Sequence, residues 1–237
     1  MRDALKTLVL GIVVAGSLLM TDAWPQSQSA GLEDVLDQMD AAARNFKTTE
    51  ANFVTDQYYE VIKDIDESAR QKGKIYFRRE GGETQMAADF VEPDKKYVIY
   101  SGGKVQVYRY KIDEVDVYDP GKNRGDVEGY LVLGFGSRGH DLLKSYEVKF
   151  LGSETANGIA AKKLELIPKS DRFRNIFARI LLWIDPVRGI SVQQQFFEPS
   201  GDYRLAKYSE IQINQKIPEG AFKLKTTGKT KVVSPQG

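Results

Sequence analysis

Residue types that commonly perform catalysis are scarce in this sequence of 237 residues. It has no cysteine and one histidine, His140, which lies in a polar, glycine-flanked segment beside Asp141. A cysteine nucleophile and a disulfide are therefore excluded, and any serine or aspartate mechanism that needs an imidazole has only His140 to supply it. His140 has two interpretations, a pH-sensitive or catalytic group and a plain helix-start residue, and the sequence favours the second.

Motifs for metal ions and phosphates give no further site. The sequence has no HExxH motif, no cluster of cysteines and histidines, no acidic residues at EF-hand spacing and no GxxxxGK[ST] loop. We therefore expect no catalytic residue, no metal site and no cofactor, and we predict that the protein is not an enzyme. One alternative stays open, since two carboxylates brought together across strands could hydrolyse glycosides.

The first 23 residues have the pattern of a signal peptide. Arg2 and Lys6 precede an apolar run, Leu8–Met20, which is shorter than the roughly 20 residues that a transmembrane helix needs. A leader over residues 1–23, with cleavage before Trp24 or as late as residue 30, would export the chain to the periplasm. The alternative is an uncleaved membrane anchor.

Hydrophobic periodicity divides the rest of the chain into one helix and many strands. After a Pro/Gln/Ser spacer at residues 24–31, apolar residues recur every three or four positions from Leu32 to Lys47, which predicts an amphipathic helix. From Thr48 onward the period is two, which predicts strands. Gly102-Gly103 between two alternating runs predicts a tight hairpin, because both central residues of a type I′ turn need positive φ.

The alternation stops between Pro120 and Ser145. Glycines are frequent in this stretch, and we predict two short helices joined by a flexible hinge at Gly134–Gly139. Strands resume at Tyr146, and the last predicted run lies near Phe222–Thr226.

These elements predict an α+β fold, a single curved antiparallel sheet of about eleven strands with helices over one face. A β-sandwich is the rival, but it would leave the apolar stripe of the Leu32–Lys47 helix unburied. We expect one domain over residues 32–237 and a monomer. The net charge of +1 supplies no basic face, so we expect no nucleic-acid partner.

Several short segments follow one another in a characteristic order: Phe46–Gln57, Gly73–Arg79, Val91–Lys95, Ser101–Tyr108, Leu164–Pro168, Ile180–Asp185, a turn at Gly201, Tyr208–Asn214 and Pro218–Phe222. In this order, and with a leader before them, they resemble the LolA family of periplasmic outer-membrane lipoprotein carriers. The resemblance covers most of the chain after the leader.

The resemblance implies an unclosed β barrel whose apolar concave side is covered by lid helices. It also implies partners: a lipoprotein or lipid cargo, an inner-membrane ABC transporter that loads it and an outer-membrane receptor that accepts it. In such carriers an arginine at the end of the glycine-led strand holds the lid through hydrogen bonds to helix backbone, and by position this latch is Arg79. Glu80 departs from the pattern, because a proline usually follows that arginine. An exposed strand-end charge is the alternative for Arg79.

A lipid carrier needs an apolar wall. Sheltering one chain of about sixteen carbons, at ~0.8 kcal/mol per methylene, is worth on the order of 10 kcal/mol. Alternation along the strands gives the candidates for the lipid-binding cavity, which are Phe53, Ile75, Phe77, Met86, Phe90, Val98, Tyr100, Val107, Trp183 and Phe196. The candidates on the lid are Leu131, Leu133, Leu142 and Leu143. Each of them alone also fits ordinary core packing.

We therefore expect a periplasmic carrier, or chaperone, that shelters the acyl chains of a lipoprotein or lipid and passes it from the inner to the outer membrane. The alternative is a periplasmic sensor or interaction module on the same fold without a transport role, similar to the N-terminal part of envelope-stress regulators.

Overall fold

The computed structural model describes residues 24–234. The leader predicted at residues 1–23 lies outside the described residues. Among the residues that are described, no helix is both long enough and apolar enough to cross a bilayer.

The first element is the predicted amphipathic helix, α1, which spans Trp24–Asn45. It begins eight residues before the expected start and includes the stretch assigned to a spacer, because Pro25 lies in the first turn, where its missing N–H costs no helical hydrogen bond. Val35, Leu36 and Met39 are fully or almost fully buried, so the apolar stripe of α1 packs into the core.

Twelve strands form one sheet. They are β1 Thr48–Tyr59, β2 Asp64–Glu80, β3 Glu83–Glu92, β4 Lys96–Ser101, β5 Lys104–Arg109, β6 Glu114–Tyr118, β7 Tyr146–Ala156, β8 Ile159–Pro168, β9 Arg179–Asp185, β10 Ile190–Phe197, β11 Tyr203–Ile213 and β12 Lys231–Val233. Their order is β12-β6-β5-β4-β3-β2-β1-β11-β10-β9-β8-β7, with β12 and β7 at the two edges, so the sheet is not closed. The predicted α+β fold with a curved, unclosed antiparallel sheet is confirmed, although β12 runs parallel to its neighbour β6.

The hairpin between β4 and β5 has the predicted turn. Gly102 and Gly103 both have positive φ, 60° and 74°, as a type I′ turn requires. Ser101 pairs with Lys104 directly across it.

The insert between β6 and β7 contains the two predicted short helices, α2 Arg124–Leu131 and α3 Gly139–Ser145. Single 3₁₀ turns lie at Tyr110–Ile112 and Gly121–Asn123, and a one-turn helix, α4, spans Asp171–Arg174. The insert and α1 cover the concave face of the sheet, where two large clusters of buried apolar side chains lie.

The prediction of a last strand near Phe222–Thr226 was wrong. This segment is irregular, because its backbone forms turns. The Ala221 N–H donates to the Pro218 carbonyl, and the Lys223 N–H donates to the Gly220 carbonyl. The segment lies against the outer face of the sheet, where the Tyr97 hydroxyl donates a hydrogen bond to the Ala221 carbonyl at 2.8 Å.

Candidate functional site

The concave face carries a partly open, mostly apolar cavity of about 220 Å³ between the sheet and α2. Most of its lining is aliphatic or aromatic and comes from β1, β2, β3, β4, β10, β11 and α2. The lining residues are Phe53, Thr55, Gln71, Ile75, Met86, Ala88, Phe90, Val98, Tyr130, Leu131, Gln194, Phe196, Arg204, Ala206 and Tyr208.

Strand alternation builds this wall. Met86, Ala88 and Phe90 occupy every second position of β3 and therefore share one face of the sheet. Phe53 contacts Phe90 edge-to-face, with 5.0 Å between the ring centroids. The Phe53 ring fits only because residue 73 is glycine: a Cβ there would lie 2.9 Å from the ring and closer still to a backbone oxygen of β3.

The buried side-chain amide of Gln194, on β10, links the sheet to the segment that follows α2. Gln194, only 4% exposed, donates from Nε2 to the Leu133 carbonyl at 2.6 Å, just after α2. Its Oε1 accepts a hydrogen bond from the Tyr208 hydroxyl at 2.8 Å. Both polar groups of Gln194 are thereby satisfied, which an amide buried among apolar side chains requires.

Six of the ten predicted cavity residues line the cavity, namely Phe53, Ile75, Met86, Phe90, Val98 and Phe196. Phe77 lies on the same face but under the hinge, stacked on Phe135 with centroids 4.4 Å apart. Tyr100 is fully buried beside the cavity and its hydroxyl donates to Glu128 of α2 at 3.0 Å. Val107 pairs with Val98 and so shares its face, one strand farther from the cavity. Lipid contact stays a prediction for all of them.

Trp183 lies on the opposite face of the sheet from the cavity. The prediction that it lines the cavity was therefore wrong. It packs there in a separate cluster with Leu181 and Val192. The tip of the β7–β8 hairpin covers this cluster, and Asn157 donates to the Val192 carbonyl at 2.8 Å. Strand β9 is buried on both faces, so Ile180–Ile184 is apolar without alternation, and no local pattern indicates which face Trp183 occupies.

The predicted lid leucines divide into two groups. Leu131, at the end of α2, lines the cavity. Leu133 and Leu142 are buried in the neighbouring cluster with Val35 and Leu36 of α1, and Leu143 packs against that cluster. Most of the lid leucines therefore join the helices to one another.

Arg79, at the end of β2, contacts the backbone of both helical regions. Its Nη1 donates to the Ala43 carbonyl in the last turn of α1 at 2.6 Å, and its Nη2 donates to the Gly136 carbonyl between α2 and α3. The guanidinium also lies over the Phe46 ring, 5.4 Å from its centroid. One half-buried side chain thus donates to two backbone carbonyls, one in each helical region. This is the geometry that a latch needs, and the latch role itself stays a prediction.

His140 joins α3 to α1. Its Nδ1 lies 2.9 Å from an Asp40 carboxylate oxygen, and its Nε2 lies 3.2 Å from one of Glu33. The hydrogen bond to Asp40, followed by the one to Glu33, raises the pKa of His140. Burial alone would raise the pKa of Asp40, but its hydrogen bonds from His140 outweigh burial and lower it. The position of His140 near a helix start agrees with the sequence, and its partners come from α1.

The described residues contain no group of three or more His, Asp or Glu side chains placed to hold a metal ion. Gly134, Gly136 and Gly139 have GxGxxG spacing. A dinucleotide-binding turn with this spacing must follow a strand, whereas this segment follows the helix α2 and leads into α3. Gly139 has a packing role instead, because a Cβ there would overlap the backbone of Leu36 in α1.

Several lining residues were not predicted from the sequence. Arg204, Ala206 and Tyr208 alternate along β11, and that period of two would have placed them on one face. Tyr130 had a weaker signal, since its turn of α2 is polar on most sides; its ring stacks on Phe177 with centroids 5.0 Å apart. Gln71 and Thr55 lie opposite each other across β1 and β2, where a bulge follows and obscures the alternation.

The architecture defines the class of fold: the described residues form an unclosed barrel with helices over its concave side, the architecture that the resemblance in sequence implied. No protein-family model matches the chain, and neither does any curated protein.

Solved structures do match. An uncharacterized conserved protein from Thermus thermophilus is 14% identical over 88% of this chain and 100% of that one, with a TM-score of 0.53. MucB is 14% identical with a TM-score of 0.51, and the alignment covers 82% of this chain and 63% of MucB, so the chain spans less than two thirds of that structure. The LolA superfamily protein NE2245 from Nitrosomonas europaea is 13% identical over 81% of this chain and 97% of that one, with a TM-score of 0.38. At such identities a structural likeness establishes the fold and no activity.

Proposed function

We propose that the chain is a periplasmic carrier that shelters an acyl chain of a lipid or lipoprotein in the cavity between the sheet and α2. One observation carries this proposal: an apolar cavity lies where strand alternation and the lid helices meet, and aromatic and aliphatic side chains form most of its wall. Such a cavity favours hydrocarbon over water because each sheltered methylene contributes about 0.8 kcal/mol.

The cavity is too small for a complete lipid in the state described. Ligand pockets commonly measure about 300–1,000 Å³, and this one measures about 220 Å³. Binding must therefore widen the space between α2 and the sheet.

The contacts of the lid suit such an opening. Arg79 and Gln194 contribute hydrogen bonds between the insert and the rest of the molecule, and these bonds can break and re-form. Gly134 and Gly136 have φ of 75° and 76°, a region that glycine enters without steric cost, so these positions can change conformation more readily than other residues could.

The proposal includes the rest of the transport route. Export by a leader would place the chain in the periplasm, an inner-membrane ABC transporter would load it, and an outer-membrane receptor would accept the cargo. The carrier would perform no chemistry on that cargo. These steps rest on the resemblance in sequence, and the cavity is the part that the structure supports.

A matched pair of variants tests the carrier. Val98→Glu places a carboxylate in the cavity wall, whereas Val187→Glu makes the same change at a side chain that is 92% exposed. We expect the wild type and Val187→Glu to bind an environment-sensitive hydrophobic dye with equal affinity, and Val98→Glu to bind it at least tenfold more weakly, since a charge in an apolar wall is costly. Equal binding by all three proteins would count against the cavity as the lipid site.

A periplasmic interaction module is the second candidate. The likeness to MucB supports this candidate, because MucB has been solved in complex with MucA. In that case the chain would bind a protein partner and carry no lipid. A purified protein that captures a periplasmic segment of a membrane protein, and holds no exchangeable lipid, would support this candidate over the carrier.

A further inference from the structure

We propose that the cargo is an anionic amphiphile with one acyl chain in the cavity, and that Arg204, assisted by Lys96, binds the oxyanion of its headgroup. This inference rests on the proposed carrier function and names its class of ligand. The headgroup chemistry is a carboxylate or a phosphate next to the first carbons of the chain.

Arg204 is the one charged residue among the described residues that line the cavity. It lies on β11 directly opposite Phe196, and its guanidinium lies over the Phe177 ring, 5.2 Å from the centroid. At this mostly apolar wall a guanidinium favours an anionic ligand, because its two N–H groups match the two oxygens of a carboxylate or phosphate.

The protein satisfies Arg204 only in part: its side chain is 40% exposed and its guanidinium interacts with the Tyr130 hydroxyl, but one donor is left over. Its Nε is inaccessible to solvent and has no hydrogen-bond partner. The carboxylate of Glu198 comes no closer than 3.8 Å, beyond hydrogen-bond distance. Buried donors without a partner are rare in proteins and often mark a place where another group binds.

Lys96 adds a second positive charge at the same end of the cavity. Its ammonium lies over the ring of Phe90, which lines the cavity, at 4.4 Å from the centroid. Burial lowers the pKa of Lys96; Asp94 opposes that shift and the charge of Arg204 adds to it. An anion bound at Arg204 would therefore also favour the charged form of Lys96.

The carboxylates nearby do not occupy this place. Asp94 and Glu198 are the acidic groups that interact with Lys96 and Arg204, and neither lines the cavity. Arg79 lies at the hinge of the insert and is engaged with backbone carbonyls. An amphiphile would therefore bind with its acyl chain in the apolar part of the cavity and its oxyanion at Arg204. This orientation pairs each part of the ligand with a complementary surface.

Three ligands with the same sixteen-carbon acyl chain test this inference: monopalmitoylglycerol, which is neutral, its phosphorylated counterpart palmitoyl lysophosphatidic acid, and palmitate. Their affinities for the full chain are measured by dye displacement below the critical micelle concentrations. We expect at least one of the two anions to bind at least tenfold more tightly than the neutral lipid, and the tighter of the two shows whether the natural headgroup is a phosphate or a carboxylate.

Variants then locate the preference. Arg204→Gln is expected to lower the ratio of anion to neutral-lipid affinity about tenfold, and Lys96→Gln is expected to lower it by a smaller factor. Lys149→Gln is the control, since it removes the same charge from β7, at the far edge of the sheet, and it should leave the ratio unchanged. Circular dichroism checks that each variant is folded, and the wild-type comparison of headgroups decides the question even if Arg204→Gln does not fold.

The inference and the carrier can fail separately. If the neutral lipid binds as tightly as both anions, the headgroup site is refuted and the carrier stands. The headgroup site is likewise refuted if Arg204→Gln folds and keeps the full preference for anions. If none of the three ligands binds, the carrier is refuted, and the headgroup site with it.

Discussion

Replacing Arg79 with methionine should open the lid, because this change removes both hydrogen bonds and keeps a side chain of similar length over Phe46. Arg79 donates to the carbonyls of Ala43 and Gly136. Hydrogen bonds from a charged donor are each worth about 1.5–3 kcal/mol, and the lower end applies because Arg79 is half-buried and water can replace part of the interaction. Two bonds then give about 3 kcal/mol between the closed and open states.

A change of about 3 kcal/mol multiplies the open population roughly 150-fold. Amide hydrogen exchange of α2, residues 124–131, reports this opening directly, and we expect it to accelerate in Arg79→Met by about two orders of magnitude while exchange in β9 stays slow. Dye should also enter the cavity faster in the variant.

Arg78→Met is the matched control for this experiment. Arg78 precedes Arg79 and lies on the outer face, where it donates to Gln85 at 2.7 Å and its guanidinium lies over Phe222. Its loss should not change exchange in α2. If exchange in α2 is the same in the two variants, Arg79 does not hold the lid, and the reasoning from its two hydrogen bonds is refuted.

Two further predictions concern packing and pH. Gly73→Ala should lower the free energy of unfolding by about 1–3 kcal/mol, because a Cβ at Gly73 meets the Phe53 ring and the Asp89 carbonyl. Gly125→Ala in α2 is the control and should be neutral or stabilising, because a Cβ there meets nothing. Equal melting temperatures of the two variants would contradict this prediction. The pKa of His140 is raised in the folded protein, so its contribution to stability is complete below its unfolded pKa of about 6.5 and is lost as pH rises through the folded value. Melting temperature should therefore fall over that range in the wild type and show no such step in His140→Gln, and identical pH profiles would show that His140 does not link α3 to α1.

The parts of the fold that could be predicted from the sequence are those with local signals. Gly102-Gly103 specifies its own turn, and the alternation of Met86, Ala88 and Phe90 along β3 assigns these side chains to one face. The apolar period predicts the helix of Leu32–Lys47, but α1 begins at Trp24, because the Pro/Gln/Ser composition of residues 24–31 carries no such period.

The rest depends on contacts between residues far apart in the chain. His140 and Asp40 are separated by 100 positions, and nothing local to either indicates the pair. Trp183 lies in a strand that is apolar on both faces, so period-two reasoning had no polar residue to fix the register. Arg204 could have been assigned to the concave face from its neighbours, but a basic residue in a strand is most often solvent-exposed, and only the structure shows its unpartnered Nε at the cavity.

The central claim is that the space beneath α2 holds hydrocarbon, and mass spectrometry of the protein purified from its native envelope tests it most directly. Organic extracts of the wild type and of Val187→Glu should contain a lipid with at least one long acyl chain in amounts close to one per protein chain, and extracts of Val98→Glu should contain little or none. A wild-type protein that carries no lipid, and that takes up none when it is offered, would contradict the account.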